Sequence, residues 1–270
     1  NVPHSSYYLY YTENFNFINQ GKIIGGYSAL INYGSMNFTL YNGHQAVLDG
    51  YSDANVIYAG DGTSTGGSEN LTIVNNGIIG NTSRTKSTLY AYYAKNLHFS
   101  NTSLDAKISS GTHRAIQLSY AQNSTIFNRG TVESTNYSTI SHYNADTTTI
   151  VNQGGTIQNN SGSYAAIDGF DVGGKNNTLI NSGVVSNLAS SDSAINYNNQ
   201  KGSNYIVNMP GGKLGSVNNN IRVSNTYSEI VNYSSIGSYT PIQAYRNLSG
   251  DVVNHGTIGD STSTLAWNVA

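Results

Sequence analysis

The sequence predicts an all-β fold, a right-handed, single-stranded parallel β-helix (β-solenoid) of about ten coils. Each coil takes roughly 26 residues and three short strands. Three observations predict it. First, a phrase of two apolar residues, an Asn and usually a Gly two positions later returns ten times, on Asn19, Asn42, Asn75, Asn101, Asn128, Asn152, Asn181, Asn208, Asn232 and Asn254. The intervals are 23, 33, 26, 27, 24, 29, 27, 24 and 22 residues, a period that marks solenoids and arrays. Second, the position two before each Asn is apolar every time, running Phe17, Leu40, Ile73, Phe99, Ile126, Ile150, Leu179, Ile206, Ile230 and Val252. Third, the chain carries 22 Tyr against 10% charged residues and 3 Pro, a composition suited to ordered, uninterrupted strands rather than to disorder.

Each element follows from the repeat. The apolar column ends a first strand facing the core. Gly and Asn tolerate the left-handed backbone region, so a corner in that conformation is expected at Asn-x-Gly. A second strand after it places Ile23, Ile79, Val132, Val185, Ile236 and Ile258 inside. A third strand reads Ala29-Leu30-Ile31-Asn32-Tyr33, Thr88-Leu89-Tyr90-Ala91-Tyr92, Ala194-Ile195-Asn196-Tyr197 and their like. One coil alone loses about 1–2 kcal/mol of backbone entropy per residue, while each of its few inward side chains returns only about 1.5–3 kcal/mol. Only stacking of coils at about 4.8 Å stabilises it. Residues 1–270 read as one such domain, with an insertion loop around 49–68 in the interval of 33.

Formal charge is -2, so no strong field draws in nucleic acid or anionic lipid. With no Cys there is neither a disulfide framework nor thiolate chemistry. No apolar run reaches the length of a membrane span, and the opening residues lack a signal peptide's basic start.

The phrases Asn152-Gln153-Gly154-Gly155-Thr156-Ile157, Asn128-Arg129-Gly130-Thr131-Val132 and Asn254-His255-Gly256-Thr257-Ile258 resemble the Asn-x-Gly-Thr-Ile repeats of bacterial autotransporter passenger domains. The resemblance covers nearly the whole chain. It implies export to the bacterial surface, as an adhesin or stalk. The translocator barrel typical of that family is not in this sequence.

Among candidate sites, the ten Asn residues are expected to form a structural ladder of stacked amides. An aromatic column at the third strand, Tyr33, Tyr92, Tyr120, Tyr143, Phe170, Tyr197 and Tyr245, is a candidate contact face for sugars or a neighbouring protein. Asp49, Asp53 and Asp61 in the insertion lack the spacing of a known calcium loop, which leaves a solvated loop as the expectation. Asp168 and Asp171 are the best paired carboxylates for polysaccharide hydrolysis, but strand alternation gives a spacing of three no common face. His4, His44, His98, His113, His142 and His255 lack metal-ligand spacing, and neither a serine-nucleophile elbow nor a phosphate loop occurs. No metal or cofactor is expected. Sequons such as Asn37, Asn70, Asn101, Asn123, Asn136 and Asn247 are numerous in so Asn-rich a chain.

Both ends of the sequence match the third strand and lack caps, Ser6-Tyr7-Tyr8-Leu9-Tyr10-Tyr11 at one and Ser263-Thr264-Leu265-Ala266-Trp267-Asn268 at the other. Unpaired edges invite a further chain, with Tyr8, Tyr10, Leu265 and Trp267 as candidate end-to-end contacts. The expected function is therefore a non-enzymatic extracellular or cell-surface rod whose copies stack head to tail. The alternatives are an adhesin for glycan or host protein through the aromatic face, and a polysaccharide lyase or hydrolase.

Overall fold

The computed structural model describes residues 6–51, 53–60, 63, 67–80, 84–160, 163–169, 176–188, 192–197, 202–216, 219–224, 227–237, 240–245 and 249–259. These residues form three parallel sheets of ten strands each, and no helix. The chain visits the sheets in rotation. In one coil Leu30–Tyr33 lies in the first, Thr39–Asn42 in the second and Val47–Asp49 in the third. Ile57–Ala59 then returns to pair beside Leu30–Tyr33. We call these the tyrosine, ladder and corner sheets. The architecture is a β-solenoid, as the repeat predicts.

Register is kept from coil to coil. Ile73 pairs with Leu40 and Phe99, and Asn75 with Asn42 and Asn101. Because side chains alternate across a strand, equal register sends the same position of every coil inward. Three inner columns result. Leu40, Ile73, Phe99, Ile126, Ile150, Leu179, Ile206 and Ile230 come from the ladder sheet, and Leu48, Ile79, Ile108, Val132, Ile157, Val185, Leu214 and Ile236 from the corner sheet. Leu30, Ile57, Leu89, Ile116, Ile140, Ile167, Ile195, Ile221 and Ile242 complete the core. Phe17, Ile23, Val252 and Ile258 pack against it partly buried.

The asparagine ladder is continuous. Each Nδ2 donates to Oδ1 of the Asn in the next coil, from Asn19 to Asn254, at 2.8–2.9 Å. The same amide also closes its own corner. Asn75 Nδ2 donates to the Gly77 carbonyl at 3.1 Å and to the Lys107 carbonyl one coil on at 3.1 Å, and its Oδ1 accepts from the Gly77 N–H.

The expected left-handed backbone at this corner is found at Gly154 in the Asn152 coil, with φ of 72°, and at Gly211, three residues after Asn208, with φ of 85°, but it is not general. No ladder Asn has positive φ, and neither do Gly77, Gly130, Gly183 or Gly256. Those glycines serve close approach instead. A Cβ on Gly77 would lie 2.2 Å from the Ala46 carbonyl oxygen, and on Gly130 or Gly183 2.1 Å from that of Ala106 or Gly155. The coils touch backbone to backbone here, and only a missing side chain permits it.

Left-handed residues mark a different corner, the one entering the ladder sheet. Asn14, Asn37, Asn70, Asn96, Asn123 and Asn176 have φ between 51 and 56°, and Thr147 takes the same place at 53°. They sit five residues before the ladder Asn of their coil. The first five form an exposed second ladder, in which Asn37 donates to Asn14 at 3.0 Å, Asn70 to Asn37 at 2.9 Å, Asn96 to Asn70 at 2.9 Å and Asn123 to Asn96 at 3.4 Å. Its amides point the opposite way to the buried ladder.

The insertion expected at 49–68 is narrower than that. Ile57–Ala59 is an ordinary strand of the tyrosine sheet, and Ala54 and Val56 are buried beside it. Asp49 accepts from Arg84 at 2.9 Å and Asp53 from Thr85 at 2.7 Å, while Asp61 lies outside the described residues.

Candidate functional site

The outer face of the tyrosine sheet gathers most of the sequence-predicted contact residues. Counting from the inward Leu or Ile of each strand, the next residue and the one two beyond it point outward. The first outward column reads Tyr8, Ile31, Tyr58, Tyr90, Gln117, Ser141, Asp168, Asn196, Arg222 and Gln243. The second carries Tyr10, Tyr33, Tyr92 and Tyr143.

Together they make a chain of rings along the flank. Ring centroids lie 5.1 Å apart for Tyr10 and Tyr33, 5.4 Å for Tyr33 and Tyr58, and 5.6 Å for Tyr58 and Tyr90. The chain continues from Tyr90 to Tyr92 at 5.8 Å, Tyr92 to Tyr120 at 5.8 Å and Tyr120 to Tyr143 at 5.4 Å. Such spacings fit offset and edge-to-face aromatic contact. Burial raises the Tyr33 and Tyr90 hydroxyls above the ordinary tyrosine pKa.

Tyr11, Tyr93 and Tyr120 sit one residue past the strand with φ of 48–54°. The equivalent residues Gly34 and Asn144 are the types that take this region readily. A bulky residue there carries local strain, of the kind found where a side chain is used.

Several predicted members fall elsewhere. Tyr197 is fully buried: it stands two residues after the inward Ile195 rather than three, so alternation turns it into the core beside His142. Phe170 lies outside the described residues, and so does the side chain of Tyr245, whose backbone lies in the strand Thr240–Tyr245. Tyr8 and Tyr10 continue the outer ring chain on the flank; Tyr7 and Leu9 are the inward residues of that strand. Leu265 and Trp267 are outside the described residues. Tyr58 is a member that sequence reasoning missed, although Ile57-Tyr58-Ala59 matches Leu89-Tyr90-Ala91 position for position.

Beyond Tyr90 the first column turns polar, through Gln117 and Ser141 to Asp168. Asp168 is buried, and Ser138 donates to its Oδ2 at 3.0 Å. Burial pushes its carboxyl up to about 7, against the hydrogen bond from Ser138; nearby Asp192 raises it further, and Arg114 and Asn196 lower it. Asp171 lies outside the described residues, and the carboxylate that faces Asp168 comes from the next coil. Asp192 is itself paired with Arg222 at 2.8 Å.

The histidines are dispersed, and no group of three or more metal-ligating side chains occurs among the described residues. His113 is the one with a defined tautomer. Ser87 Oγ lies 2.8 Å from Nδ1 and donates its proton to Gln117 Oε1 at 2.7 Å, so Nδ1–H donates to the hydroxyl. Nε2 then accepts from Arg114 Nη1 at 3.3 Å. Burial first, then Arg114 and Lys86, hold this ring at a pKa of about 4. Since the Ser87 proton points to an amide and not to the imidazole, the pair is not an activated nucleophile.

His142 takes the inward place that Leu118 holds one coil before. Neither ring nitrogen has a hydrogen-bond partner within 3.5 Å, and burial lowers its pKa to about 4, with Asn177 pulling weakly back. Between pH 6.5 and 4 the unfolded chain therefore binds a proton that the folded chain refuses, so stability falls as pH falls. The loss is about 1.4 kcal/mol per unit, or about 3 kcal/mol over the window. Asp168 has the opposite sign, its contribution being present below about pH 4 and lost as pH rises to about 7. His142→Leu leaves the Asp168 share in place and removes the histidine share. Its urea midpoint should exceed the parent's by more at pH 4.5 than at pH 7, and parallel pH profiles would refute the assignment.

No family model matches the chain, and no curated protein or solved structure matches it.

Proposed function

We propose that this chain is a structural, non-enzymatic β-solenoid of the cell exterior, whose work is done by length, stiffness and a displayed flank. The buried amide ladder carries this reading. One side chain in every coil is committed to holding its neighbours, at 2.8–2.9 Å throughout, and the three inner columns are built mostly of Ile, Leu and Val. A scaffold repeated so uniformly favours extension over a local reaction centre. The partner this reading implies is a second copy. The ladder has one sense, Nδ2 to Oδ1, so a coil that continues it must join in the same polarity, which gives heterologous head-to-tail contact and open growth.

Negative-stain electron microscopy of the purified chain tests this. Straight rods are expected, in lengths that are multiples of about 5 nm, from ten strands at about 4.8 Å each. Monomers that persist at high concentration would sink the stacking.

A second reading is favoured by the ring chain from Tyr10 to Tyr143: an adhesive flank for glycan or host protein. Tyr92→Ala, Tyr120→Ala and Tyr143→Ala on a glycan array separate the two. Lost binding with unchanged circular dichroism supports the flank, and lost rods support stacking.

A further inference from the structure

We propose that a cavity on the tyrosine-sheet flank, bounded by Tyr27 and Tyr90, binds a single neutral pyranose unit of a glycan. The inference deepens the adhesive-flank reading and rests on it, but places recognition in a discrete pocket beside the ring chain.

The cavity encloses about 330 Å³, at the small end for ligand sites and suited to one sugar ring rather than to an extended polymer. It is built across successive coils. Tyr90 and Gln117 are register partners on adjacent strands, so an aromatic wall and an amide stand one strand spacing apart. Tyr27, 47% exposed, supplies a second aromatic ring to the lining, and Asp53, Asn55 and Lys86 supply polar groups. A pyranose has an apolar C–H face and a rim of hydroxyls that both donate and accept. Tyrosine walls meet the first need, since the ring is apolar and its hydroxyl polar. For the second, Asp53 accepts, Lys86 donates, and Asn55 and Gln117 do both.

The amide of Gln117 is held in place before any ligand arrives. Its Oε1 accepts from Ser87 at 2.7 Å and its Nε2 donates to Ser119 at 3.3 Å, which leaves one N–H and one lone pair for a ligand. Ser87 is fixed in turn by His113 at 2.8 Å. Side chains ordered in advance lose less freedom when a ligand binds.

Charge selects the neutral sugar. Asp53 and Lys86 cancel, and His113 is uncharged above about pH 5 because burial, Arg114 and Lys86 hold its pKa near 4. The Arg114 guanidinium does not line the cavity; it lies over the Tyr137 ring at 5.2 Å and on His113 Nε2. The lining therefore has no net charge to reward a carboxylated or phosphorylated ligand.

The test is saturation-transfer NMR on the full chain with the methyl glycosides of glucose, galactose, mannose and N-acetylglucosamine, and with methyl glucuronide. Transfer to at least one neutral glycoside is expected. Lys86→Met and Tyr27→Ala, both at exposed positions, should each weaken its Kd by about tenfold, the value of one lost hydrogen bond or ring contact. Leu104→Ala, at a 71% exposed turn position outside both the cavity and the ring chain, should leave it within about twofold of the parent. Absence of transfer to every neutral glycoside overturns the proposal, and so does tightest binding of the glucuronide. Binding lost in Tyr143→Ala but kept in Lys86→Met and Tyr27→Ala also overturns it, while leaving the adhesive flank standing.

Discussion

Asn128→Ala should lower the unfolding free energy by about 3–5 kcal/mol, the cost of leaving two or three buried polar groups unpaired at about 1–3 kcal/mol each. Asn128 is fully buried at the middle of the ladder. Its Nδ2 donates to Asn152 Oδ1 at 2.8 Å and to the Gly130 and Thr156 carbonyls at 3.1 and 3.2 Å, and its Oδ1 accepts from Asn101 at 2.9 Å. Alanine removes all four contacts and brings no water to replace them. The matching change at Asn254, where the bonds to Gly256 are solvent-exposed, should cost under about 1 kcal/mol because water substitutes. Urea denaturation followed by circular dichroism reads both midpoints. Equal shifts would show that burial of the ladder does not set its strength.

Gly130→Ala should be nearly as damaging, at about 3 kcal/mol, by a different route. The new methyl would stand 2.1 Å from the Ala106 carbonyl oxygen, 2.7 Å from that of Ser103 and 2.8 Å from Asn101 Nδ2. Two of those obstacles are backbone, which cannot rotate aside, so the coils must part and stretch the ladder next to them. Gly237→Ala is the control. Nothing lies within 4 Å of its Cβ position, so the change should be neutral or stabilise by a few tenths of a kcal/mol through the unfolded chain. If both variants melt alike, close approach is not the reason for glycine in the repeat.

The two glycines also show how far the sequence could be read. The Asn-x-Gly phrase located the corner correctly and the apolar residue two before it located the core, because both signals recur in every coil. The cause assigned to the phrase holds at Gly154 but not at Gly77, Gly130, Gly183 or Gly256, since a period reports that a position is constrained without reporting whether φ or a neighbouring backbone constrains it. The asparagines that do adopt positive φ, such as Asn37 and Asn70, were visible five residues upstream. They escaped notice as ordinary loop residues in an Asn-rich chain. Tyr197 was misplaced by one step of alternation, which counting from Ile195 would have corrected. The carboxylate facing Asp168 was sought three residues away at Asp171, whereas coil stacking brings Asp192 to it from 24 positions on. The Ser87–Gln117–His113 arrangement likewise spans coils, and nothing local in sequence announces it.

The constancy of register has a consequence for how such a chain changes over time. Asn128 and Asn152 are 24 residues apart and occupy equivalent places, as do the residues around them. Excising Arg129 through Asn152 would remove one full turn and rejoin like to like, with an amide, a glycine approach and an inner Ile still meeting their own kind. Duplicating that stretch would add a turn as cleanly. Length is thus a quantity that genetic slippage can adjust in whole turns, each leaving a competent molecule, whereas a shift by a single residue would reverse every face.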